Sequence, residues 1–322
     1  KLVHHPQRIL FMRQDGKLGD YIVSSFTYRE IKKFNPDAYI GVVCTHKDAY
    51  LYESNPHIDE LYFVRNKHIG DYIRVGMEIS KQRYDVVIDP TEVLRNRNLF
   101  FLRLINASSY IGYQKSTYRM FSYSVEEVQH YARLYTKALK QLNIPVQSSV
   151  YDIPKNLEAE SEIELFLQEH RIQNYIAINF YGAASSRMMH PENIKKYIKY
   201  IRKQTGGRAI VLLSYPAVYS ELQGIAQLFD DVYVHNTKHI FHTIALIRHC
   251  ILLISIDTST VHIGSGLNKK IIAWYRSEKK NYEQWGPTSQ EETHIIFYEK
   301  TINELVPEAI EPAWLMLDIN EE

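Results

Sequence analysis

The 322-residue chain has only two cysteines, Cys44 and Cys250, and both sit inside apolar strand-like runs. That excludes a disulfide framework and predicts two buried thiols of a reducing compartment. Long hydrophobic runs are missing too. No stretch approaches the 18 apolar residues of a membrane span, and no signal-peptide core precedes the first strand pattern, so a cytoplasmic protein is expected. Charge is nearly absent in the net sense: 38 Lys and Arg against 37 Asp and Glu leave +1. No global field invites nucleic acid or an anionic membrane. Glycine is sparse (13) and forms no G-x-G-x-x-G after a strand; "DGKLGD" is not a P-loop. There is no G-x-S-x-G elbow. Fourteen His residues form neither H-E-x-x-H nor a Cys/His ligand set. No metal or cofactor is therefore expected, and dehydrogenase, P-loop kinase and zinc hydrolase chemistry lose their support.

What is present is alternation. Strand patterns at 8–13, 38–44, 60–64, 85–90 and 109–113 are separated by helical ones, among them 21–34 and 69–82. Pro145 and Pro154 interrupt the pattern between a helix at 128–142 and a new one near Ala159, marking a linker. The alternation restarts with strands at 175–180, 208–215, 232–235, 250–257 and 269–275 and helices at 192–204, 217–228 and 240–249. Strands alternating with helices of this length predict two parallel α/β halves, with ligands at the carboxyl ends of the strands and in a cleft between the halves.

Three strand-end stretches carry polar chemistry. In "DGKLGDYIVSSFTYREIKKF" Asp20 lies where the first strand becomes the first helix; a carboxylate there suits the positive helix end and serves either as cap or as base. In "NFYGAASSRMMHPENIKKYI" a small-residue loop with hydroxyls and Arg187 precedes a helix opened by Pro191, which suits phosphate oxygens. In "ISIDTSTVHIGSGLNKKIIAWY" a buried strand ends in Asp257, Thr258, Ser259 and Thr260, and His262 follows on a short helix. Free N–H groups and hydroxyls make that helix start an anion site, although Ser, Thr and Asp are also the commonest caps. The abundant Tyr (25) also offers rings for stacking on sugars.

The ordered set "RQDGKLGD", "GAASSRMMHPE" and "DTSTVHIGSG" resembles glycosyltransferase family 9, the ADP-heptose:lipopolysaccharide heptosyltransferases. "NPHIDELYFV", the run from Tyr84 to Tyr113 and "HYARLYTKALKQLNI" add to the likeness, which spans nearly the whole chain. The resemblance implies the GT-B fold, two Rossmann-like parallel-sheet domains facing across a cleft. The expected division is an acceptor-binding domain over 1–155 and a nucleotide-sugar domain over 156–304, with a C-terminal helix at about 305–322 packed back on the first.

It further implies Asp20 as general base and an acceptor site with Arg13, Lys17 and Gly19. Donor contacts would come from Gly182, Ser185, Ser186, Arg187, Glu221, Asp257, Thr258, Ser259 and His262. Glu221 is the candidate for the ribose; His262 supports the loop or touches the donor. Four departures stand out: "RQDGKLGD" has one residue more than the family's usual turn, which shifts Arg13; Arg187 lies one position before the family's usual cation; His190 stands for Trp; and Ser259 for Gly. The implied activity is metal-independent, inverting transfer of heptose from ADP-heptose to a Kdo or heptose residue of the lipopolysaccharide inner core. It would occur in a Gram-negative cytoplasm, with peripheral contact at the inner face of the membrane. The alternatives are another nucleotide-sugar, a protein acceptor, or a non-catalytic sugar-nucleotide-binding protein.

Overall fold

Strands buried on both faces read as unbroken apolar runs, and "RILFM", "VVID", "IAIN" and "LLISI" are such runs. In the structure, a computed structural model that describes residues 1–14, 16–65 and 67–317, they are the middle strands of two six-stranded parallel sheets.

The first sheet contains β1 (Arg8–Met12), β2 (Tyr39–Cys44), β3 (Glu60–Phe63), β4 (Val86–Asp89), β5 (Ser109–Tyr113) and β6 (Tyr123–Val125), in the order β3-β2-β1-β4-β5-β6. Its helices are α1 (Leu18–Phe34), α2 (Ala49–Glu53), α3 (Ile69–Lys81), α4 (Asn96–Ile105) and α5 (Tyr131–Gln141). Helix α1 packs with α5, and α3 with α4. Gly76 makes the second pairing close: a Cβ there would lie 2.7 Å from Leu104 Cβ. Under α3 and α4 lies a core that includes Leu10, Tyr72, Val75, Val87 and Phe101. The buried face of α1 carries Ser24, Ser25 and Thr27, whose hydroxyls donate to carbonyls three residues back. Ser25 Oγ also accepts from Asp152 N, and Arg29 pairs with Asp152, so the chain after α5 is tied down on α1. The first compact unit thus ends at Asp152.

The second unit, from Ile153, opens with α6 (Leu157–Glu169) and continues β7 (Ile176–Asn179), α7 (Pro191–Gln204), β8 (Ile210–Leu212), α8 (Tyr219–Ala226), β9 (Val232–Val234) and α9 (Ile240–His249). It ends with β10 (Leu252–Ile256), α10 (Ser259–Gly266), β11 (Lys270–Arg276), α11 (Lys279–Trp285) and β12 (Thr293–Tyr298). The sheet order is β12-β11-β10-β7-β8-β9. Counted from its own first strand this is the same doubly wound order as in the first unit, and the order of both sheets reverses beside the first strand. Trp274 is fully buried between Phe180 and Tyr197. The chain is α/β with the GT-B fold.

Three elements differ from expectation. Strands β6 and β12 were not anticipated. The expected helix at about 305–322 does not form over its described part: 302–304, 307–309 and 312–315 are separate 3-10 turns. Pro307 and Pro312 each open a turn, and a proline removes the N–H an α-helix needs at that point. The two later turns pack on α7, within the second unit. Residues 318–322 lie outside the described residues. Both cysteines are free and buried, as expected.

Candidate active site

In an open α/β sheet the place to look is beyond the strand carboxyl ends, where the order reverses. In the first unit that point lies between β1 and β4. After β1 come Arg13, Gly16 in a left-handed conformation (φ +66°) and the start of α1. The N-cap is Lys17, exposed; Gly19 and Asp20 follow in the first turn. Asp20 is therefore not the N-cap, and its Oδ1 lies 3.4 Å from Arg13 Nη2. Arg13 is 1% exposed and donates from Nη1 to Tyr135 Oη at 2.5 Å. Arg13, expected at the acceptor, is enclosed, and its guanidinium faces the Asp20 carboxylate.

A second pair of buried charges sits at the end of β4. Asp89 accepts from the backbone and the hydroxyl of Thr91. Lys115, 0% exposed, donates from Nζ to the carbonyls of Thr91, Glu92 (2.7 Å) and Tyr113 (2.8 Å). Burial pushes the Asp89 carboxyl up, opposed by Thr91, Lys115 and Arg13. Burial pulls the Lys115 ammonium down, opposed chiefly by Asp89. Tyr131 donates to Glu92 at 3.4 Å, and its phenol is held well above its usual range by burial and then by Glu92, Tyr113 and Asp20. This network shapes the loop after β4, which borders a cavity of about 270 Å³ lined by Lys67, Asp89, Thr91, Arg95, Arg97 and Asn98 among others. Arg97 Nε is buried with no hydrogen-bond partner among the described residues.

In the second unit the order reverses between β7 and β10. Asn179 closes β7 and its amide reaches the hydroxyls of Ser255 (3.4 Å), Thr258 (3.2 Å) and Thr260 (3.2 Å). Thr258 is the N-cap of α10, accepting from Thr260 N, and Ser259 opens the helix, partly exposed. The α10 amides thus face a neutral, hydroxyl-lined end. Gly264 lets α10 lie on the sheet, since a Cβ there would be 2.5 Å from Leu253 Cδ2. His262 is buried in the same helix near Trp285.

The loop after β7 folds on itself: Gly182 N donates to Arg187 O at 2.8 Å, and Ser185–Arg187 form a 3-10 turn. A Cβ on Gly182 would meet Arg187 Cβ at 2.6 Å, which is why glycine stands there. Asn303 holds the loop from below, donating to Met188 O and accepting from His190 N. Ser185 is exposed and Ser186 half-buried. Arg187 Nη1 lies 3.4 Å from Asp257 Oδ2, and Asn281 donates to the same oxygen at 2.8 Å. Burial raises the Asp257 carboxyl, opposed by Asn281 and Arg187. Glu221 is exposed at the start of α8 and accepts from Tyr181 Oη at 2.8 Å.

The expected donor residues are thus gathered at one strand edge: Gly182, Ser185, Ser186 and Arg187 from one loop, Asp257, Thr258, Ser259 and His262 from the next, and Glu221 beside them through Tyr181. Sequence reasoning missed Asn179, Asp89, Lys115, Glu92, Tyr131, Tyr135 and Asn281. Only Asn179 and Asp89, polar residues closing apolar strands, carried a local signal.

A family model described as glycosyltransferase family 9 (heptosyltransferase) matches residues 72–314. The chain belongs to that family. An Escherichia coli (strain K12) relative named "Putative lipopolysaccharide heptosyltransferase 4" is 22% identical over 311 residues, covering 94% of this chain and 84% of its own. Among solved structures, the family 9 glycosyl transferase from Veillonella parvula DSM 2008 superposes with a TM-score of 0.72 at 22% identity, covering 93% and 87% of the two chains. The E. coli heptosyltransferase WaaC with ADP gives 0.69 at 15% identity, covering 94% and 95%. Family 9 membership makes the chain a glycosyltransferase.

Proposed function

We propose that this family 9 enzyme transfers heptose from ADP-heptose to a Kdo or heptose residue of a lipopolysaccharide inner core, with inversion and without a metal ion. The observation that carries the reading is the pair of matched strand ends. One holds a carboxylate beside a buried guanidinium, and the other holds a helix start lined with hydroxyls and one cation. WaaC was solved with ADP, and the K12 relative is named for lipopolysaccharide, which supports the donor and acceptor classes.

In this reaction Asp20 takes the proton of the acceptor hydroxyl, whose oxygen attacks the anomeric carbon as the bond to the β-phosphate breaks. Charge developing on ADP is met by Arg187, the Ser185 and Ser186 hydroxyls and the α10 amides. Glu221 takes the ribose, and His262 supports the α10 loop. Lys17 and Gly19 border the acceptor. The Lys67, Arg95 and Arg97 cavity receives an acidic group of that acceptor, the Arg97 fork supplying the donors. One observation favours a second reading, a different sugar on the nucleotide: Asp257 is already engaged by Arg187 and Asn281.

Incubation with a panel of nucleotide-sugars, with and without chelator, tests both. Release of ADP from ADP-heptose in the presence of chelator is expected. Release only from another nucleotide-sugar selects the second reading, and strict dependence on added Mg²⁺ or Mn²⁺ refutes metal independence.

A further inference from the structure

Three elements of the first unit meet at Asp20. Helix α1 supplies the carboxylate in its first turn, β1 supplies Arg13 from the residue after its end, and α5 supplies Tyr135. Arg13 is fixed at both ends. Its N–H donates to Val43 O at 2.8 Å, which extends the pairing with β2 by one residue, and its Nη1 donates to Tyr135 Oη at 2.5 Å. A guanidinium is a planar fork on a long stem, and it keeps one direction only where the fork itself is held. Tyr135 is a firm anchor for that fork: it is buried, with Leu134, Ala138 and Leu139 of the same helix buried beside it, and α5 packs on α1. One helix pair therefore carries both the carboxylate and the group that orients its cation.

The guanidinium has a second claimant. Asp89, buried at the end of β4, has its carboxyl pushed up by burial, and Arg13 is among the charges that oppose this. A fork within reach of two carboxylates serves the one toward which its other bonds aim it. The bond to Tyr135 engages Nη1, and Nη2 then lies 3.4 Å from Asp20 Oδ1. Asp20 is 15% exposed, open enough to meet a substrate as well. Tyr131, one turn before Tyr135 on α5, shares that side of the helix. It donates to Glu92, and Asp20 is among the groups that hold its phenol up. The titratable groups around Arg13 are thus Asp20 from α1, Asp89 and Glu92 from β4 and the loop after it, Tyr113 from β5, and Tyr131 and Tyr135 from α5. Lys115 is a second buried cation beside them.

We propose that Tyr135 is a positioning residue for the transfer reaction, its hydroxyl holding the Arg13 guanidinium against Asp20 and away from Asp89. Tyr135 acts on the chemistry through Arg13 alone. A cation held within a few ångströms favours the ionised form of a carboxylate, so a base with its cation fixed in place works at lower pH than one whose cation can turn aside. The phenol brings no charge of its own to this arrangement; it supplies direction. The inference rests on Asp20 as the base proposed above.

The pH dependence of kcat/KM tests it, read as release of ADP from ADP-heptose with a lipopolysaccharide inner-core acceptor. Tyr135→Phe keeps the ring and removes only the oxygen that accepts from Arg13. Its acidic limb should lie about one pH unit above that of the wild type, the low end of what an opposite charge does to a carboxylate. The dissociation constant for ADP should stay at the wild-type value. Arg13→Lys has no fork to serve Tyr135 and Asp20 together, and should move the limb the same way. It decides the matter if circular dichroism shows that Tyr135→Phe does not fold. A lower kcat with the acidic limb unmoved would make Tyr135 a support of the fold and overturn the proposal. So would a limb that moves only with a parallel loss of ADP binding. Added to Asp20→Asn, the Tyr135→Phe change should cost no further turnover; a further loss of about tenfold would show that Tyr135 acts elsewhere. Near-normal turnover in Asp20→Asn alone would refute the base and this inference with it, whereas a severe loss there beside an unmoved limb would refute this inference only. If the wild type releases nothing from ADP-heptose, the donor reading fails, and the nucleotide-sugar that does support release carries the same pH comparison.

Discussion

The two units share one strand order and differ in what stands where that order reverses. Beyond β1 and β4 stand full charges: Arg13, Asp20, Asp89 and Lys115, three of them buried. Beyond β7 and β10 stand mostly neutral dipoles: the Asn179 amide, the Ser255, Thr258 and Thr260 hydroxyls and the start of α10, with the Arg187–Asp257 pair at the rim. A topology that delivers backbone amides to a strand edge does not decide the chemistry; the residues closing the strands do. A carboxylate beside a fixed cation, as Asp20 stands beside Arg13, suits the removal of a proton. Amides and hydroxyls suit pyrophosphate, whose oxygens need donors more than a single strong cation.

The largest expected effect tests the charged end. Lys115→Met removes a buried ammonium whose charge opposes the upward push on Asp89, and leaves three carbonyls short of a donor. Stability should fall by about 3–5 kcal/mol, the usual cost of stranding a buried charge. Chemical denaturation measures it, and a loss under about 1 kcal/mol, within the range of an ordinary surface change, would mean that the charges at this end do not depend on one another.

At the neutral end, Arg187→Ala should weaken ADP binding by about 1.5–3 kcal/mol, the value of a charged hydrogen bond. Calorimetry with ADP decides it: unchanged affinity would show that Arg187 serves Asp257 and not the nucleotide. Asp257→Ala should weaken the intact donor more than free ADP if its carboxylate reaches the sugar; equal losses would make it a support for Arg187.

The smallest effect lies outside both strand ends. Burial, then neighbouring His242, lowers the His235 imidazole to about 4, and burial lowers His239 as well. Their native values lie below the unfolded one, so between about pH 4 and 6.5 the unfolded chain binds more protons. Stability from this cluster is complete above about pH 6.5 and is lost as pH falls toward 4. Replacing His235 with Gln should flatten that part of the stability–pH curve; an unaltered slope would refute it.

Much of this arrangement was legible in the sequence because its signals are local. Apolar runs of strand length, the Pro191 helix start and the Thr258 cap all lie within a few residues of the structure they specify. All three strand-end polar stretches were found for that reason. The partners were not. Lys115 acts on carbonyls 23 and 24 residues away, and Arg187 meets Asp257 70 residues on. Arg13 was expected at the acceptor, since nothing in "RQDGKLGD" shows that Tyr135 from α5 covers it. The C-terminal error is of another kind: Pro307 and Pro312 were there to be read against a helix.

The central claim, that the charged end removes the proton and the neutral end binds the nucleotide, is tested most directly by Asp20→Asn. Turnover and ADP affinity should be measured on the same preparation. Turnover should fall by roughly 10²-fold or more, the usual loss for a general base, while the dissociation constant for ADP stays at the wild-type value. Near-normal turnover, or a parallel loss of ADP binding, would contradict the division of labour between the two strand ends.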